Sequence, residues 1–73
     1  MAWYLRTIRG GTDGVAYETL DLVMEQVRSV SHMQTRRGHK AVNEGGRVSF
    51  YDGHDLIDTL WVEAEDGSAV PVP

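Results

Sequence analysis

The apolar residues from Leu20 onward fall at Leu20, Val23, Met24, Val27 and Val30. Steps of three and four lay one stripe along a helix of 3.6 residues per turn. Thr19 is placed to cap this helix by accepting a bond from a first-turn N–H, and Glu18 and Asp21 carry the charge favoured at that end. Arg36, Arg37 and then Gly38 supply the complementary stop. The pattern therefore predicts a helix over residues 20–35.

The flanking segments follow a different period. Residues 3–9, Trp-Tyr-Leu-Arg-Thr-Ile-Arg, are rich in aromatic and β-branched types and run into Gly10-Gly11, with a second turn signal at Asp13-Gly14; they predict a first strand followed by a mobile connection. Arg47 to Tyr51 alternates as a half-buried strand does, Asp52 to Asp55 turns the chain, and residues 56–65 return as the partner strand of a hairpin. Residues 39–43 carry too few apolar side chains to decide between an edge strand and a loop, and we read them as a loop before the turn cluster Asn43-Glu44-Gly45-Gly46. Asp66-Gly67 ends the last strand. Residues 68–73, with two prolines among the last three, predict an extended or frayed tail after a single domain over 1–67.

The fold class expected is α+β, in the order β-α-β-β: a small antiparallel sheet of three strands, four if residues 39–43 join it, with one helix packed on one face. Trp3, Leu5, Val48, Phe50, Leu60 and Val62 would meet the helix stripe in the core. Period two then sends Tyr4, Arg6, Ile8, Ser49, Tyr51, Ile57, Thr59 and Trp61 to the opposite face, which a single helix cannot cover. Rings beside a guanidinium and hydroxyls are the composition enriched at protein interfaces.

Composition narrows the function classes. Seventy-three residues fit one domain with one thin core, which in chains of this size rarely supplies more than about 3–5 kcal/mol, so self-association or docking on a partner is expected. The absence of cysteine removes disulfides, thiolate metal sites and a cysteine nucleophile. No spanning or targeting pattern is present, from which a cytoplasmic protein is expected. The net charge of −4 is unevenly spread: residues 1–47 hold all 7 Lys and Arg against 5 of the acids, and residues 48–73 hold the other 6 acids. An acidic chain repels a phosphate backbone, so direct nucleic-acid binding is disfavoured relative to a protein partner.

Specific chemistry is sparse. His32, His39 and His54 stand at spacings that match no metal signature, and the acidic loop around His54 lacks the alternating oxygen ligands of a calcium loop. Ser31 or Ser49 with a histidine and an aspartate makes a hydrolytic set only on paper, because no nucleophile elbow or phosphate-binding loop accompanies it. No catalytic residue, metal or cofactor is assigned. The partner-binding candidates are Tyr4, Arg6, Tyr51 and Trp61 on the uncovered face, and Asp52, Asp55 and Asp58 in the acidic hairpin. Arg36, Arg37, Lys40 and Arg47 form a basic cluster and are the anion-binding candidates.

In size and layout the chain resembles small bacteriophage accessory proteins that bind and inhibit host machinery, anti-defence and anti-CRISPR proteins among them. That resemblance implies a non-enzymatic binder of a host protein, including one within a nucleic-acid-binding complex, with homo-oligomerisation compatible. The alternative is an oligomer that holds a nucleotide or anionic metabolite at a subunit interface, gripped by Arg6, Arg47 or Arg36.

Overall fold

In a computed structural model that describes residues 1–9 and 15–73, the apolar stripe forms α1, Leu20–Arg36. The Thr19 hydroxyl accepts from the Leu22 N–H at 3.1 Å, so the expected N-cap is in place. At the other end the Gly38 N–H donates to the Thr35 carbonyl (3.0 Å) and the His39 N–H to the Gln34 carbonyl (3.1 Å), with Gly38 at φ +85°. This pair of bonds is a Schellman closure, which requires a residue that tolerates a left-handed backbone. Val23 and Val27 are buried, and Met24 and Val30 pack against the core from its margin. Leu20, the first residue of the stripe, is 37% exposed and lies outside the core.

The sheet is larger than the sequence pattern predicts. Its strands are β1 (Trp3–Thr7), β2 (Val15–Tyr17), β3 (Lys40–Glu44), β4 (Arg47–Asp52), β5 (Asp55–Ala64) and β6 (Ala69–Val70). All pairs are antiparallel in the spatial order β2-β1-β5-β4-β3, with β6 also on β5. The class is α+β as expected, but among the described residues six strands replace three or four, in the chain order β-β-α-β-β-β-β. Each added strand is one that alternation cannot reveal. β2 has three residues, and β6 has two. In β3 four of five residues are exposed, so it has no face to bury; it is a strand, not the expected loop, because Gly45 (φ +65°) and Gly46 (φ +88°) fold it back onto β4. The connection expected over residues 10–14 lies outside the described residues.

The C-terminal segment is extended but not frayed. Ala69 and Val70 pair with Glu63 and Val62, on the edge of β5 beyond the end of β4. The Val72 N–H then donates to the Gly46 carbonyl (2.9 Å), and Asn43 Nδ2 donates to the Val72 carbonyl (2.8 Å). Val70 and Val72 both pack against the core, which residues 68–73 thus help to close.

The core consists of Leu5, Val23, Val27, Val48, Phe50, Leu60 and Val62, with Trp3, Tyr17 and Ile57 packed at its edge. Ile57 is a correction with a local cause. The β4–β5 register slips between Phe50 and Tyr51, so Phe50 faces Asp58 while Tyr51 faces Leu56. The extra residue is Ile57, a β-bulge that reverses the alternation below it. Ile57 therefore turns to the core side rather than the uncovered face, and Leu56, on the core parity by simple counting, is 41% exposed. Arg9 secures the bulge: its Nε donates to the Ile57 carbonyl at 2.8 Å and its Nη2 to the Leu56 carbonyl at 3.3 Å.

Candidate binding face

The register fixes which side chains share the side away from α1. Arg6 lies opposite Trp61, Tyr4 opposite Glu63, Ser49 opposite Thr59, Glu44 opposite Arg47 and Lys40 opposite Tyr51. Leu5, Val48, Phe50, Leu60 and Val62 are buried on the helix side, so alternation puts this second set on the other. Tyr4, Arg6, Tyr51 and Trp61 accordingly share one face, where each is half-buried by its neighbours and covered by no other element among the described residues. Ile8, just past the end of β1, is exposed.

The side chains on this face are held by one another. The Glu63 carboxylate accepts from Arg6 Nε at 3.3 Å and from Trp61 Nε1 at 2.9 Å, so a single anion orients a guanidinium and an indole from adjacent strands. Arg6 lies 5.2 Å from the centroid of the Tyr4 ring, and Arg47 lies 4.5 Å above Trp61. Contacts of this kind contribute about 0.5–1 kcal/mol each at exposed sites. Further along, the Tyr51 hydroxyl donates to Glu44 Oε1 at 2.9 Å, and Ser49 and Thr59 share a hydroxyl bond of 3.0 Å between them. The Glu44 bond pushes the Tyr51 phenol above its ordinary value, because the carboxylate holds the proton and its charge opposes a phenolate.

Glu63, Arg47 and Glu44 are members of this face that the candidate set omits or places elsewhere. Glu63 was legible by parity, being two residues from Trp61 on one strand. Arg47 belongs with the rings rather than with the basic cluster, which the fold divides. Arg36 and Arg37 end α1 and, with Ser29, His32 and Met33, line a shallow groove on the helix. Lys40 stands on β3 beside Tyr51, four residues from the Glu44–Arg47 end of that hairpin, or roughly 13 Å along a strand.

The acidic hairpin is divided as well. Asp52 and Asp55 form the last cross-strand pair at the exposed tip of β4–β5, where Gly53 takes φ +61°. Asp58 sits at the bulge, away from the tip pair, and its Oδ1 accepts from the Thr59 N–H at 2.8 Å and the Arg9 N–H at 3.3 Å. His39 Nδ1 contacts Gln34 Oε1 at 2.6 Å behind the helix closure. Among the described residues no three His, Asp or Glu converge as metal ligands, and no helix is long and apolar enough to cross a membrane. Neither protein-family models, nor curated proteins, nor solved structures offer a match to this chain.

Proposed function

We propose that this chain is a small binding protein that docks on a host protein through the uncovered face, acting stoichiometrically as phage or mobile-element accessory proteins do. The observation that carries the reading is the arrangement around Glu63: Tyr4, Arg6, Trp61 and Arg47 are stacked and bonded into one patch that no other element covers among the described residues. Aromatic and arginine side chains dominate the energetics of protein interfaces. Side chains already held in place lose little entropy on docking, so their contacts convert efficiently into affinity. A face whose bonds served only the fold would not need two guanidinium groups poised over rings at its surface. The tip aspartates Asp52 and Asp55 lie at one end of the same hairpin and would engage a basic rim on the partner.

The experiment is a capture comparison. Tagged wild-type protein is presented to host lysate beside Trp61→Ala, Arg47→Glu and, as a control on the helix surface, Arg28→Glu. The expected result is a protein retained by wild type and Arg28→Glu and lost by the other two, with all four proteins giving the same circular dichroism. Equal retention by Trp61→Ala and wild type would overturn the assignment of this face.

A further inference from the structure

The β3 edge has a symmetry that the uncovered face does not explain. β3 is Lys40-Ala41-Val42-Asn43-Glu44, and the spatial order of the sheet ends with it, so among the described residues nothing pairs with its outer side. Exposed edges are ordinarily blunted by charge. Here the charges have opposite sign and stand equally far on either side of Val42.

An antiparallel approach of a second β3 centred on Val42 would set Lys40 against Glu44 of the second copy, Ala41 against its Asn43, and Val42 against its own counterpart. Opposite charges face each other at both ends. A parallel approach in the same register would instead set Lys40 against Lys40 and Glu44 against Glu44.

The backbone phase agrees independently with the same register. Glu44 and Arg47 flank a two-residue turn whose glycines both take positive φ. A turn of that type closes with a backbone bond between its flanking residues, so Glu44 and Arg47 are a hydrogen-bonded pair. Bonded and non-bonded pairs alternate along an antiparallel ladder. Val42–Ser49 and Lys40–Tyr51 are therefore bonded pairs, and Ala41 and Asn43 point their N–H and C=O outward from the sheet. In the register centred on Val42, the outward groups of Ala41 meet those of Asn43 in the second copy, and the reverse, making four bonds. A shift by one residue would lose both this match and the charge pairing.

We propose that β3 is a self-recognition edge, through which two copies form a two-fold dimer with a continuous antiparallel sheet. The axis stands perpendicular to the sheet, so both uncovered faces lie on one side of the assembly and the two Trp61 patches are presented together. The interface is short, and interfaces of this size give weak, concentration-dependent association. This inference does not rest on the docking role of the uncovered face, and either can fail alone.

Because the chain has no cysteine, single cysteines report the register directly. Val42 would form a non-bonded pair with its own counterpart, at a Cα separation of about 4.5 Å, within disulfide range. Val42→Cys should form a disulfide-linked dimer under mild oxidation. Lys40→Cys alone should not, since its counterpart lies roughly 13 Å away along the strand, whereas a mixture of Lys40→Cys and Glu44→Cys should cross-link. Sedimentation velocity over a concentration series should show Lys40→Glu weakening dimerisation roughly tenfold, from two reversed cross-strand pairs. The exchanged variant Lys40→Glu with Glu44→Lys should restore it, a rescue that a folding defect would not give. Ala41→Pro should abolish dimerisation while leaving β3 paired with β4, because it removes only an outward donor. A monomer at every concentration, with Val42→Cys left as free thiol, would overturn the proposal. So would a dimer unaffected by both Lys40→Glu and Ala41→Pro.

Discussion

The two faces of this sheet use the same strands and reach opposite solutions. On the helix side Leu5, Phe50, Leu60 and Val62 are closed off by Val23 and Val27, with no buried charged side chain among the described residues. On the other side the buried or half-buried positions include Ser49, Thr59, Trp61, Arg6 and Glu63, whose polar atoms are paired with one another. The first face is stabilised by removing apolar area from water, which is non-directional and depends on volume. The second depends on orientation: a carboxylate that must reach two donors at once, and guanidinium groups that must lie over rings. The comparison teaches that one face sets stability and the other sets the shape offered to solvent, so substitutions should divide along the same line.

Phe50→Ala tests the first half of that division most severely. The side chain is fully buried, and its loss should cost about 3–5 kcal/mol, as much as a domain of this size has in total. Urea titration followed by circular dichroism should find the variant largely unfolded at 25 °C; a shift below about 1 kcal/mol would mean that the helix does not seal this face.

Gly46→Ala probes how far the dry face depends on the C-terminal segment. An added Cβ would sit 2.9 Å from Pro71, at a position where φ is +88°. The combined strain should cost about 1–3 kcal/mol. It should also detach residues 71–73, seen as faster amide exchange at Val72, whose N–H is bonded to Gly46.

Coupling on the uncovered face should be smaller. A double-mutant cycle on Arg47 and Trp61 by thermal unfolding should give an interaction of about 0.5–1 kcal/mol, the scale of an exposed cation–ring contact. A value above about 2 kcal/mol would show that this face also carries the fold, and would blur the comparison.

The smallest effect is electrostatic. The Tyr51 phenol is held above its ordinary value of 10.0, chiefly by its bond to Glu44. A folded-state pKa raised above the unfolded one gives a contribution present below pH 10 and lost as pH rises through the folded value. Glu44→Gln should lower the Tyr51 titration toward 10.0, read from its absorbance against a Tyr51→Phe control, with little change in unfolding at neutral pH.

Much of this was legible in the chain because two effects are local. The spacing of Val23, Met24, Val27 and Val30, the Thr19 hydroxyl and the Gly38 closure are decided within a few residues, and the helix appears within one residue of its expected end. The period of two over residues 3–7 and 58–63 is enough to place Tyr4, Arg6 and Trp61 together away from the helix. The bulge was not legible, since a slip of one residue depends on how Phe50 fits against its neighbours across the strand, and it alone exchanged the environments of Leu56 and Ile57.

Sequence by itself determined the class, the helix, the central strands and the parity of the two faces, because hydrophobic periodicity is written residue by residue. Only the tertiary structure decided the rest: that β2, β3 and β6 are strands, that the final residues pack instead of fraying, and that Arg47 joins Trp61 and leaves the basic cluster. Those outcomes depend on backbone hydrogen bonds and side-chain pairs between segments distant in the chain. Such bonds form between any residue types that reach the right register, so they leave no pattern along one strand to read.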